Sequence, residues 1–71
     1  MTESETHIMR HFKLYGIRVN EMLCFNELAN SQPARFHAAM ASLVQRGFVV
    51  AERRRDAFSL TSQGYCASLT A

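Results

Sequence analysis

Residues 31–60, SQPARFHAAMASLVQRGFVVAERRRDAFSL, decide how this chain is read. Pro33 is favoured at the first position of a helix, and a polar side chain just before it, from Ser31 or Gln32, can satisfy an orphan N–H, so a helix is expected to start there. Phe36, Met40, Leu43 and Val44 recur at helical spacing, and Arg46-Gly47 supplies a cation and then a stop. Two β-prone runs follow, Phe48–Ala51 and Ala57–Leu60, separated by Glu52-Arg53-Arg54-Arg55-Asp56. They predict a hairpin with a five-residue charged tip and with Phe48, Val50, Phe58 and Leu60 on its buried face.

Toward the N-terminus, the spacing predicts a helix from about Ser4 to Tyr15, capped by Ser4 and stopped at Gly16. Ile8, Phe12 and Tyr15 share one face, which Met9, His11 and Leu14 widen. Ile17-Arg18-Val19 alternates over a length suited to a short strand. Asn20 is expected to cap a second helix from Glu21 to about Ala29, with Met22, Phe25, Leu28 and Ala29 inward, ending at Asn30. Toward the C-terminus, Thr61 is expected to cap a short closing helix carrying Tyr65, Cys66 and Leu69, which Gly64 weakens near its start.

Composition bounds what these elements can do. With 71 residues, 48% hydrophobic and 20% charged, the chain suits one domain with a compact core. The uncharged stretches Phe36 to Gln45 and Ala57 to Ala71 both fall short of the roughly 20 apolar residues of a membrane span. The acidic, polar start from Thr2 to Thr6 lacks the n- and h-regions of a signal peptide, so a soluble, cytoplasmic protein is expected. Cys24 and Cys66 are too few for a disulfide framework and read as reduced thiols, Cys24 as a buried one beside the second helix. The net charge of +2 is unevenly placed. Up to residue 30, Arg10, Lys13 and Arg18 stand against Glu3, Glu5, Glu21 and Glu27. Beyond it, Arg35, Arg46, Arg53, Arg54 and Arg55 stand against only Glu52 and Asp56, a distribution that suits one face meeting a polyanion.

The predicted order is helix, short strand, helix, tight turn, helix, hairpin. Phe25 to Phe36, FNELANSQPARF, resembles the helix-turn-helix of small bacterial or phage winged-helix regulators, including the MarR-like group. Leu43 to Val49, LVQRGFV, is similar to that family's passage from recognition helix into wing, and Ser59-Leu60-Thr61-x-x-Gly64 to its exit from the wing. The resemblance spans about residues 20–65. It implies a mainly α fold with a small β-hairpin wing, one winged helix-turn-helix domain over 1–71. Its parts would be an N-terminal helix (1–16), helix-turn-helix (20–47), wing (48–60) and closing helix or tail (61–71).

The function implied is sequence-specific binding of double-stranded DNA by a small transcriptional regulator, a repressor that occupies an operator. The recognition helix, about Pro33 to Arg46, would enter the major groove while the wing meets phosphate or minor groove. With Phe36, Met40 and Leu43 inward, Ala34, Ala38, Ala41, Ser42 and Gln45 point outward, flanked by Arg35 and His37. Ser31, Gln32, Ala34, Arg35, His37 and Ala38 would lie nearest the base edges. Arg35 can pair with guanine or hold a phosphate, Gln32 can read adenine, and Ala34 or Ala38 can pack on a thymine methyl. Arg53, Arg54 and Arg55 suit phosphate or a narrow minor groove, or simply a solvated turn. The alternative function is a protein-interaction module docking through Ala34, Ala38 and Ala41.

Other chemistry is not expected. His7 and His11 have a metal-compatible spacing, but no Asp, Glu or Cys completes a set on that face, so neither a metal nor another cofactor is expected. Nucleophile-elbow, phosphate-loop and zinc-protease motifs are missing, which argues against an enzyme. A homodimer is expected, because one module this small makes few base contacts. Its seam would be the first helix with Tyr65 and Leu69.

Overall fold

The computed structural model describes residues 1–24, 33–52 and 57–71, the first two of the second segment by backbone alone. The described residues form a small α+β fold of three helices and a three-stranded antiparallel sheet. In chain order these are α1 (Glu3–Leu14), β1 (Met22–Cys24), α2 (Pro33–Gln45), β2 (Val49–Ala51), β3 (Ala57–Leu60) and α3 (Ser62–Thr70).

The cap of α1 is Thr2, two residues before the expected Ser4. Thr2 Oγ1 accepts from the Glu5 N–H at 3.2 Å and Glu5 Oε1 accepts from the Thr2 N–H at 3.1 Å. Such a reciprocal box satisfies two donors, which Ser4 with His7 three residues on cannot match. The other end closes with the Gly16 N–H donating to Lys13 O and the Ile17 N–H to Phe12 O. The same pair of bonds ends α2, from the Gly47 N–H to Val44 O and from the Phe48 N–H to Leu43 O. Gly47 sits at φ +77°, where a side chain would be strained, so the predicted stop there has a backbone cause.

After the first stop the chain departs from expectation. Ile17-Arg18-Val19 is not a strand: the Glu21 N–H returns to Arg18 O, and Asn20 adopts φ +68°. Nor does a helix begin at Glu21, since Met22–Cys24 is extended and pairs with β3, Met22 opposite Ser59, Leu23 opposite Phe58 and Cys24 opposite Ala57. Backbone bonds from Asn20 N–H to Leu60 O and from Leu60 N–H to Glu21 O continue that pairing. Phe25, Leu28, Ala29 and the Asn30 stop lie outside the described residues.

The hairpin forms, with one parity corrected. β2 and β3 pair Val49 with Leu60, Val50 with Ser59 and Ala51 with Phe58, in the sheet order β1-β3-β2. Val49 and Leu60 are therefore the buried pair, whereas Val50 is half exposed. Phe48 and Phe58 are partly buried against the same core. That core gathers Ile8, Met9 and Phe12 of α1 with Phe36, Ala39, Met40 and Leu43 of α2. Burying one such side chain stabilises the fold by about 1.5–3 kcal/mol. Tyr15 and Leu14, counted on the inner side of the first helix, are exposed instead.

α3 starts at the expected cap, with Thr61 Oγ1 accepting from the Gly64 N–H at 3.0 Å. Gly64 is needed for close approach: a Cβ there would lie 1.8 Å from Phe48 O. Tyr65 packs partly buried against the core, while Cys66 and Leu69 face outward.

Candidate nucleic-acid interface

α2 presents two contrasting sides. Phe36, Ala39, Met40 and Leu43 enter the core, and the Phe36 ring meets Phe58 edge to face at 6.1 Å, tying the helix to the sheet. On the other side Arg35, His37, Ala38, Ala41, Val44 and Gln45 are exposed. Arg35, His37 and Ala38 are thus all exposed, Arg35 on the flank of α2 that turns toward α1. Ser31, Gln32, Arg53, Arg54 and Arg55 lie outside the described residues, as does the side chain of Ala34.

Ser42, expected outward, faces α1. Its hydroxyl donates to Glu5 Oε2 at 3.1 Å, and Arg46 Nε lies 3.6 Å from the same oxygen. Glu5 is 2% exposed, so this carboxylate is a buried anion shared by the cap of α1 and the last turns of α2. Burial pushes its carboxyl up, but the N–H and hydroxyl of Thr2, the Ser42 hydroxyl and the Arg46 charge outweigh that and hold it below the usual carboxylate value. Glu5 was missed as a structural anchor in the sequence, although Thr2-x-x-Glu5 is a capping-box signature. Arg46 is only partly engaged, with its side chain 48% exposed.

Beside the N-terminal end of α2 a groove of about 490 Å³ opens against α1. Its walls carry Glu3, His7 and Arg10 from α1 and Arg35 from α2, over a floor that includes Ile8 and Phe36. His7 and His11 meet edge to face at 4.8 Å, and His11 Nδ1 lies 3.0 Å from His7 O. Among the described residues no group of three or more His, Cys, Asp or Glu is placed to hold a metal ion.

Both cysteines are exposed. Cys24, expected to be buried beside a helix, lies instead on β1 at the edge of the sheet. Among the described residues no helix is long and apolar enough to cross a membrane.

No protein-family model matches the chain, and no curated protein and no solved structure matches it either.

Proposed function

We propose that this chain is a winged helix-turn-helix protein that binds double-stranded DNA through the exposed side of α2, as a small transcriptional regulator. The observation that carries the reading is the sheet order β1-β3-β2, with α2 leading directly into the β2–β3 hairpin. Such a hairpin lies beside the helix that precedes it, where a wing would flank a recognition helix. The exposed side chains of α2 support it as well. Ala38 and Ala41 leave room for a groove wall, while Arg35, His37 and Gln45 supply hydrogen-bonding groups. In this reading the arginines at 53–55 serve phosphate contact from the wing.

A homodimer belongs to the same proposal. Leu14, Tyr15 and Leu69 are all more than half exposed, and Lys13 Nζ donates to Leu69 O, placing the ends of α1 and α3 side by side. A seam there would set two recognition helices on paired half-sites. Selection of bound duplexes from a random DNA pool at low salt tests both parts. Enrichment of a motif is expected, repeated about one helical turn apart. A pool that returns no enriched sequence refutes the operator reading.

One observation favours a second reading. Ala38, Ala41 and Val44 form an exposed apolar band on α2, with Val44 40% exposed, and such a band also suits a partner protein's helix. A chain that binds no DNA at low salt would leave this reading in its place.

A further inference from the structure

We infer that the groove between α1 and α2 holds a sugar-phosphate unit of the DNA backbone, with Arg10 and Arg35 as its cationic rim; this rests on the DNA-binding reading above. Arg10 belongs to α1 and Arg35 to the first turn of α2, yet both line the same groove. Both side chains are exposed, and among the described residues neither lies within ion-pairing distance of a carboxylate. Two guanidinium groups held on one groove create a positive potential that an anion relieves. Arg46 differs, because Glu5 already engages it.

The shape of the groove favours a nucleotide backbone over a bare anion. At about 490 Å³ it is far larger than a phosphate ion requires, and Met1, half exposed, together with the nearly buried Ile8 and Phe36, gives it an apolar floor. A sugar can lie over that floor while its phosphate meets the guanidinium rim, where arginine offers paired donors. Arg35 belongs both to the groove and to the end of the exposed side of α2. A strand passing the start of α2 would therefore run on to α1. Glu3 lines the same groove and opposes the phosphate, so its removal should strengthen binding.

The test is a fluorescence-anisotropy titration of the full chain with a short duplex at two salt concentrations, using wild type, R10A, E3Q and R18A. Arg18 is exposed on the turn after α1, outside the groove, so R18A matches the lost charge without the site. R10A should weaken binding to every sequence alike. Its further loss of affinity between about 50 and 200 mM salt should be smaller than that of wild type by a factor of about three to four, the contribution of one released counterion. E3Q should bind more tightly, and R18A should keep the wild-type salt slope. If wild type binds and R10A matches R18A in slope, the groove assignment is overturned while DNA binding stands. If wild type does not bind at the lower salt, both fall. Inorganic phosphate that shifts the Arg10 and Arg35 amide resonances as far as the duplex does would overturn the assignment to a nucleic-acid backbone.

Discussion

The two sides of α2 are built on opposite principles. The inner side depends on contacts far away in sequence: Leu43 is 0% exposed among side chains from α1 and the sheet, and Ser42 reaches a carboxylate 37 positions earlier. The outer side carries Ala38, Ala41 and Val44 among polar residues, with no comparable commitment. A helix of 13 residues can thus be rigidly seated while its opposite side stays free to be specified by a partner. Substitutions on the two sides should separate accordingly.

The largest effect is expected at the centre of the inner side. Leu43→Ala leaves a cavity that the packed neighbours cannot fill, and should cost about 2–5 kcal/mol by urea denaturation. A loss under about 1 kcal/mol would mean that the α2 seat is loose.

A smaller effect is expected at the polar margin of the same side. Glu5→Ala removes the acceptor for the Thr2 N–H and the Ser42 hydroxyl and should cost about 1–3 kcal/mol. Acid probes the same anchor. Because the folded carboxyl titrates below its unfolded value of about 4.3, its contribution is complete above that pH and fades as pH falls through the lower, folded value. E5Q should therefore flatten the acid limb of the stability curve. Parallel acid limbs for wild type and E5Q would show that Glu5 carries no such linkage.

The smallest effect on stability is expected on the outer side. Ala38→Glu should change unfolding free energy by no more than about 0.5 kcal/mol. It would nonetheless set a carboxylate against the phosphates, so duplex affinity should fall markedly. A variant that binds DNA as wild type does would place the interface elsewhere.

The same contrast explains what could be read in advance. Signals carried by neighbouring residues were legible: the stops at Gly16 and Gly47, the start of α2 at Pro33 and the cap at Thr61 all act within a few residues of chain. The inward set Phe36, Met40 and Leu43 followed from simple periodicity. β1 was not legible, because Met22-Leu23-Cys24 has no alternation and its strand character comes from pairing with residues 57–59. Val49 and Val50 are chemically identical, so only the register against Leu60 and Ser59 decides which turns inward. Ser42 looked outward for a related reason: a polar side chain toward the core is intelligible only once the buried Glu5 is known. Within the candidate site, Arg35, His37 and Ala38 could be named from helical geometry. The groove beside them could not, since its α1 wall lies some 25 positions earlier in the chain, from Arg10 to Arg35.

Thr61 has a consequence beyond capping a helix. Its hydroxyl lies 2.6 Å from Gly47 O and 3.0 Å from Phe48 O, and its N–H donates to Phe48 O at 3.1 Å. The hairpin is thereby latched at its base, where β2 starts and β3 ends, independently of its charged tip. Lengthening a flexible loop costs only about 0.6 kcal/mol for each doubling. Such a latch lets the tip vary in length and charge while the strand register persists, so selection could retune its contacts without redesigning the fold beneath it.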